Sequence, residues 1–402
     1  MVEQLISIQS PNQKPPGFAL FSLGFRPFFL MASLFAFVSI LFWGGIYVYG
    51  WPAPTLTYSP LQWHAHEMIF GYALAVVAGF LLTAVRNWTN IQTLNGKGLA
   101  VLSLLWLAAR AVGLIMPGQI QLMFALDGLF GFFLFIAIAY PIVQAKQKQQ
   151  IGIVSKVVLL LLANILFYLG ALGVLEQGIA WGLYSGLYLI VSLMFVMARR
   201  VLPFFIERGV GEGIKISNRA WLDRSSLVLF LLFWVAEVFW HNVPVASLLA
   251  ALLFVVHTIR LYDWHTPGLW RKPLLWVLYI GYSCVVFGFL LHALSPVLGL
   301  SPYLAIHAFA VGGVGIMTVG MMARVALGHT GRNIHEAPNI VTVVFLLLIL
   351  SFVARVLLPL LTPINYSLCV GLSHALWLAA FALFVFVYAP ILIKPRADGM
   401  PG

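Results

Sequence analysis

Residues 61–85 read LQWHAHEMIFGYALAVVAGFLLTAV, and this stretch decides the fold class of the chain. About 20 apolar residues in a helix cross a hydrocarbon core of about 30 Å, and this stretch is longer than that. Its one charged residue is Glu67, which lies near the first end beside His64 and His66. The stretch therefore predicts a membrane-spanning helix whose first end is polar.

The remainder of the 402-residue chain has the same apolar character. Hydrophobic residues make up 62% of the sequence and charged residues only 8%, whereas a soluble protein has about 25% charged residues. Such a chain cannot cover a folded surface with water-soluble groups, so a soluble fold is excluded. The net charge of +11 lies between apolar runs, so we expect it to set the membrane orientation, with lipid and not nucleic acid as a partner.

Twelve apolar runs of this kind predict an all-α, polytopic membrane protein with about 12 transmembrane helices in a single domain, residues 1–402. The first 17 residues are polar and rich in proline and do not resemble a cleavable signal, so we expect a short tail. The predicted spans are 28–49, 61–85, 98–116, 120–144, 152–174, 178–205, 222–240, 244–261, 273–294, 302–327, 339–361 and 367–393.

The basic residues alternate with the spans and predict their direction. Of the 22 Lys and Arg residues, 20 fall in or beside every second connection and at the two ends of the chain. Because Lys and Arg concentrate in cytoplasmic loops, we expect both termini in the cytoplasm. The other connections hold no basic residue and lie around 50–60, 117–119, 175–177, 241–243, 295–301 and 362–366.

Two parts of the sequence resemble each other and predict an internal repeat. HEMIFG at 66–71 aligns with HAFAVG at 307–312, so that spans two to four, at about 61–144, match spans ten to twelve, at about 302–393. Matched spans run in the same direction, so the two copies would be related by an axis along the membrane normal. The alignment pairs Gly79 with Gly320 and brings Arg110 near the place of Arg355.

Two arginines, Arg110 and Arg355, lie inside spans three and eleven near their outer ends. A lone arginine in the membrane is costly unless it is paired or hydrated. One interpretation is a structural ion pair with Asp127, Glu67 or Glu237. The other interpretation is that both arginines bind an anionic ligand inside the bundle.

Six of the 10 histidines lie in the outer halves or at the outer ends of their predicted spans. An imidazole in a membrane must be hydrogen-bonded or bind a metal, and histidine is a frequent ligand of haem iron and copper. A helix-bridging contact is the simpler interpretation of any one histidine, but the six together favour a metal site. They are His64, His66, His241, His292, His307 and His374.

Several motifs resemble the NnrS family over essentially the whole chain. The most specific is WHAHEMIFGY at 63–72, and the others are FSLGFRPFF at 21–29, LLTAVRNWT at 81–89 and MARVALGHTG at 322–331. The resemblance implies a bacterial inner-membrane protein with 12 spans that contains haem and copper. It also implies a protein produced in response to nitric oxide that protects under nitrosative stress.

A more distant resemblance is to subunit I of haem-copper oxidases, whose 12 helices form three groups of four. HAHEM at 64–68 resembles their low-spin haem helix, and His307 followed by Gly313 resembles their tenth helix. The chain departs from that pattern at the second metal, since span six has no histidine and His241 is followed by Asn242. An oxidase or reductase site of the ordinary kind is therefore not expected.

The repeat and the resemblances together suggest ligands. His64 and His66 are two residues apart, so on a helix they point about 200° from each other and cannot both bind one centre. We expect one of them to pair with His307 as axial ligands of a b-type haem, whose propionates bind Arg110 and Arg355. The expected copper ligands are the remaining histidine of the pair with His241, His292 and His374.

The sequence is compatible with three alternative functions. The leading one is a haem- and copper-binding membrane protein that binds, senses or detoxifies nitric oxide or iron-nitrosyl species. A divergent nitric oxide reductase or oxidase would need a proton path, for which Glu67, Asp127 and Glu237 are candidates. A metal or solute transporter would need polar residues deeper along a path, and the inner half offers only His257 and Asn164.

Overall fold

The computed structural model describes residues 17–53, 57–211, 213–361 and 365–400. Helix accounts for 82% of the structure, and no strand occurs in the described ranges. The all-α prediction is therefore confirmed. The predicted tail ahead of the first span lies, apart from Gly17, outside the described residues.

Twelve long helices occupy the places of the 12 predicted spans in the described part of the chain. They are α1 Phe25–Tyr49, α2 Pro60–Thr89, α3 Gly96–Ile115, α4 Ile120–Gln144, α5 Ile151–Ala171, α6 Gly178–Val210, α7 Ala220–Val235 with its continuation Ala236–Trp240, α8 Val243–Trp264, α9 Pro273–Leu298, α10 Pro302–His329, α11 Asn339–Leu361 and α12 Tyr366–Ile393.

Eleven helices of the described ranges are long and apolar enough to cross a membrane. The twelfth, α7, is a 16-residue α-helix continued by a 5-residue π-helical turn, and it carries Asp223, Arg224 and Glu237. Outward faces carry exposed apolar side chains such as Val101 and Leu104 on α3. Helices with apolar outer faces suit contact with lipid, since their backbone polar groups are bonded internally. The multi-pass membrane bundle is confirmed.

The two helices at the centre of the bundle are α2 and α10. The buried share of their residues is 78% and 72%, higher than in the other candidate spans. The helix α2 packs against α1, α4, α6 and α10, and α10 packs in turn against α6, α9, α11 and α12. The two helices that carry His64 and His307 therefore lie beside each other in the core.

Glycines allow neighbouring helices to approach these central helices closely. A Cβ atom at Gly79 would lie 2.9 Å from Cβ of Phe28 on α1, and one at Gly320 would lie 2.8 Å from Cγ1 of Val277 on α9. Small residues are common where membrane helices pack closely. The two glycines that the predicted repeat pairs thus have the same role on corresponding helices.

Both central helices change to π-helical geometry at corresponding positions. The π segment of α2, Glu67–Ala73, begins directly after His66, and that of α10, Ala308–Gly315, begins directly after His307. Segments of this kind are rare and are frequent at functional sites. They are a further similarity between the two predicted copies of the repeat.

We call the end of the bundle that holds both described chain ends the basic face, and the opposite end the histidine face. The backbone N–H of Ala19 donates to the carbonyl of Ile393 at 2.8 Å. Arg26 Nη1 donates to the carbonyls of Leu392 and Lys394 at 2.9 and 2.8 Å. The two chain ends thus meet at one side, as an even number of spans requires.

The helices α5 and α6 pack with their backbones in contact. A Cβ atom at Gly182 on α6 would lie 2.6 Å from the carbonyl oxygen of Ala163 and from the backbone nitrogen of Phe167 on α5. Because backbone atoms cannot swing aside as a side chain does, this position tolerates only glycine without a shift of one helix.

Gly182→Ala should therefore destabilise the detergent-solubilised protein by about 1–3 kcal/mol, since overpacking of a tight contact costs that much. Gly152→Ala on α5 is the matched control, because a Cβ atom there meets nothing within 4 Å. Thermal unfolding followed by size-exclusion chromatography measures the difference. Equal melting temperatures of the two variants would contradict the close contact.

Candidate functional site

A chamber of about 330 Å³ lies between α1, α2, α6, α10, α11 and α12 near the histidine face. Three of the six expected histidines line this histidine chamber: His64 from α2, His307 from α10 and His374 from α12. Arg355 from α11 lines it as well. The rest of the wall is mainly apolar or aromatic and includes Ile40, Met68, Tyr72, Tyr184, Leu187, Tyr303, Val311 and Trp377.

His307 is held by hydrogen bonds at both ring nitrogens. Its Nδ1–H donates to the carbonyl oxygen of Tyr303, one helical turn earlier, at 2.7 Å. The lone pair is then on Nε2, which accepts a hydrogen bond from Nη2 of Arg355 at 3.1 Å. The carbonyl thereby selects the tautomer and the orientation of the ring.

Arg355 has only neutral partners in the part of the chain that the structure describes. Besides the bond to His307, its Nη1 donates to Oη of Tyr366 at 2.5 Å, and its guanidinium carbon lies 5.1 Å from the centre of that ring. No described carboxylate forms an ion pair with it. Its positive charge is therefore available to an anionic group in the chamber.

His64 and His374 each have a buried ring nitrogen without a partner. The ring of His64 stacks on Trp43, with centroids 4.7 Å apart and planes 8° from parallel. His374 packs against α1 at Gly44, where a Cβ atom would lie 3.1 Å from Nδ1 of the imidazole. Among the described residues, neither Nδ1 atom has a hydrogen-bond partner.

His66 lies outside the chamber, in a charged cluster between α2, α3, α4 and α5. Its Nδ1 is 2.9 Å from Oε1 of Glu67, and its Nε2 is 2.9 Å from Oδ1 of Asn164. Arg110 pairs with both carboxylates: Nε is 3.1 Å from Oε2 of Glu67 and Nη2 is 2.5 Å from Oδ2 of Asp127. The cluster thus holds the buried guanidinium of Arg110 between two carboxylates.

This cluster decides between the two interpretations of Arg110. The structural ion pair is the one present, and Arg110 does not line the histidine chamber, so its expected contact with haem propionates is not supported. His66 is turned toward α5, which leaves His64 as the span-two histidine that shares a chamber with His307. Asn164, counted from the sequence among the polar residues of the inner half, has its Oδ1 2.9 Å from Nε2 of His66.

The other two expected copper ligands lie away from the chamber. Nε2 of His292 on α9 is 3.4 Å from Oε2 of Glu237 on α7. His241 is exposed and follows the last residue of α7 with a φ of 53°. Within the described ranges, no group of three or more His, Cys, Asp or Glu is arranged to hold a metal ion. The fold thus brings three of the six histidines to one chamber. Their imidazole rings line the chamber but are not arranged around a single metal position.

Three residues that contact the polar side chains of the chamber were not identified from the sequence. Trp43 stacks on His64, Tyr366 binds Arg355, and Gly44 admits His374. Aromatic residues make up 14% of the sequence, so one Trp or Tyr has no distinguishing signal. The Gly44–Gly45 pair inside a span was a usable signal, because glycine weakens a helix and is expected where something approaches closely.

The bundle and the chamber define a polytopic α-helical membrane protein with a histidine-lined binding site. A family model described as NnrS protein matches residues 19–396 of the chain. The chain belongs to the NnrS family, and this membership relates it to the nitric oxide response. No curated protein matches the chain in sequence.

Asp127→Ala should destabilise the protein by about 3–5 kcal/mol, because it leaves the buried Arg110 without one of its two carboxylates. Asp398→Ala is the control. Asp398 is exposed, and its hydrogen bond to Arg396 lowers the pKa of this carboxyl to about 2, but exposed pairs contribute little. Melting temperatures in detergent compare the two. A wild-type melting temperature for Asp127→Ala would contradict a stabilising role of the cluster.

Proposed function

We propose that this chain is a haem- and copper-binding protein of the bacterial inner membrane that binds or detoxifies nitric oxide or an iron-nitrosyl species. The histidine chamber is the haem site in this proposal. Its main support is the hydrogen bond from Nδ1 of His307 to the carbonyl of Tyr303. Metal-ligating histidines donate their second nitrogen to a carbonyl or carboxylate in this way, which leaves the other nitrogen as the ligand.

The donor set of the chamber suits a haem. Imidazole is a frequent ligand of haem iron, and His307 shares the chamber with His64 and His374 from two other helices. The buried, unpartnered Nδ1 atoms of His64 and His374 show that polar groups here lack a partner. The apolar and aromatic wall suits the faces of a porphyrin. A bound haem would supply an iron centre that takes up nitric oxide.

A b-type haem, held without covalent bonds, is the form that the chain suits. Its two cysteines, Cys284 and Cys369, are buried and do not line the chamber. They are also too far apart in sequence for a CxxCH attachment motif.

Arg355 is the residue that would hold the haem propionates. A guanidinium makes strong, charge-assisted bonds to a carboxylate, and Arg355 has no acidic partner among the described residues. Its bond to Nε2 of His307 uses the lone pair that a metal at this nitrogen would need. Arg355 must therefore release His307 when Nε2 becomes a ligand, and an anionic propionate gives the guanidinium a better partner.

Copper is the second metal of the proposal, since imidazole suits copper as well as iron. His374 is the member of the expected copper set that lines the chamber. His292 has the carboxylate of Glu237 3.4 Å from its ring, and carboxylates commonly orient metal-binding imidazoles. These two histidines are the copper candidates, and the exposed His241 has no contact that supports it.

In this proposal, the orientation of the protein in the membrane follows from its basic residues. Lys and Arg mark cytoplasmic loops, so the basic face with both chain ends lies in the cytoplasm and the chamber lies near the outer surface. The reductase alternative has less support. Glu67 and Asp127, its candidate proton carriers, are held in ion pairs with Arg110.

His307→Ala should abolish the haem absorbance of otherwise folded protein, because it removes the imidazole that the Tyr303 carbonyl orients. His335→Ala, at an exposed loop position, is the control and should keep the wild-type spectrum. Oxidised and reduced optical spectra of the purified protein, with metal analysis for iron and copper, make the comparison. A wild-type spectrum from His307→Ala and from His64→Ala alike would exclude the chamber as the haem site.

Arg355→Gln should weaken haem retention about tenfold, since a charge-assisted hydrogen bond contributes about 1.5–3 kcal/mol. It should also lower the reduction potential of the haem, because a positive charge near the iron favours the reduced form. Arg271→Gln, exposed at the basic face, should change neither quantity. Unchanged haem titration and unchanged potential for Arg355→Gln would refute the propionate contact.

A further inference from the structure

A second cavity, of about 300 Å³, lies at the basic face between α6, α9, α10 and α11. We call it the basic-face cavity. Two cations line it, Arg324 from the α10 motif at 322–331 and Lys272 at the start of α9. Neither the fold nor the proposed function uses these two residues.

Arg324 is buried without an acceptor. The residue is only 7% exposed. Its guanidinium carbon lies 3.9 Å from the centre of the Phe205 ring on α6. That cation–π contact satisfies one face of the guanidinium. In the described ranges no carboxylate, carbonyl or hydroxyl accepts a hydrogen bond from it. A charge removed from water without a hydrogen-bonded partner is costly, so an anion in the cavity would be a favourable partner for this guanidinium.

Lys272 adds a second cation at the same cavity. It is half-buried, and none of the described side chains or carbonyls is bonded to its ammonium group. It immediately precedes Pro273, the first residue of α9. Guanidinium and ammonium groups are the side chains that proteins use to bind phosphate.

Two helix N-termini face the same cavity. The first turn of the 26-residue helix α9 lines it through Pro273 and Leu274, and the start of α11 lines it through Asn339 and Thr342. Pro273 has no N–H, and the N–H groups of Leu275 and Trp276 donate to the carbonyl of Lys272, so Leu274 carries the remaining backbone donor in the first turn of α9. At the start of α11, Val341 donates to the carbonyl of Pro338, and the N–H groups of Asn339 and Ile340 remain. The first N–H groups of a helix carry partial positive charge. Anions bind readily at such positions.

One acidic residue also lines the cavity. Glu336 lies on the exposed loop before α11 and forms no ion pair with Arg324 or Lys272. His335 beside it is exposed as well. The charged groups around the cavity are thus two cations at its wall and one carboxylate at its open rim.

We propose that the basic-face cavity is a binding site for a phosphoryl group. A buried guanidinium, an ammonium and two helix N-termini form a positive site with donors on several sides, which matches the several oxygens and the charge of a phosphate. The cavity lies at the membrane boundary, so the phosphate comes either from an anionic phospholipid headgroup or from a soluble phosphate. The chemistry at the cavity is the same in both cases.

The test uses the purified full-length protein in neutral detergent. Inorganic phosphate is titrated in one series and phosphatidylglycerol in another, with chloride at equal ionic strength and phosphate-free diacylglycerol as blanks. The thermal shift of each series gives an apparent dissociation constant. A response to phosphatidylglycerol alone assigns the site to lipid, and a response to inorganic phosphate assigns it to a soluble phosphate.

Arg324→Gln should weaken the binding on the order of tenfold, since it removes a charged hydrogen-bond donor. Lys272→Gln should weaken it less, and Arg271→Gln, exposed beside it, should match the wild type. If Arg324→Gln does not fold, Thr342→Glu replaces it, because a carboxylate in the cavity should abolish binding. The proposal is overturned if the wild type responds to neither probe, or if the cavity variant binds as tightly as Arg271→Gln.

Discussion

The ion pairs of Arg110 with Glu67 and Asp127 are the interaction on which the packing of the first half of the bundle depends. An unpaired charge in a medium of low polarity is costly, so α2, α3 and α4 must lie where their charged side chains meet. Asn164 brings α5 into the same arrangement. One side of α2 packs against α3, α4 and α5 through this cluster. The other side, which carries His64, therefore faces the histidine chamber.

The helices α10, α11 and α12, which form the second copy of the predicted repeat, line one part of the histidine chamber, and α1, α2 and α6 line the rest. Ala308 stands at the place of Glu67 in the predicted repeat alignment, and Arg355 has no carboxylate among its described partners. Arg110 is thus held by ion pairs in a closed cluster, whereas Arg355 borders a cavity together with three imidazoles.

Four arginines inside the bundle form two groups. Arg110 and Arg260 contact carboxylates, the latter with Nη2 2.9 Å from Oδ1 of Asp223, and they tie helices together. Arg355 and Arg324 contact only neutral or aromatic groups among the described residues, and each lines a cavity. Since a charge in this environment is stabilised by a counter-charge, Arg355 and Arg324 are the two of these four at which anionic ligands are expected.

The sequence by itself determined the positions of the helices and predicted their directions. Span length and the alternation of basic connections are local properties, and the predicted span 120–144 coincides with Ile120–Gln144. The different directions of His64 and His66 followed from helix geometry alone. Only the tertiary structure decided which side of α2 faced the chamber and which partners Arg110 took, because both depend on which helices pack against one another. The length of each apolar run can be read from the local sequence. The pairing of buried charges depends on which helices pack together, so it is defined only in the folded protein.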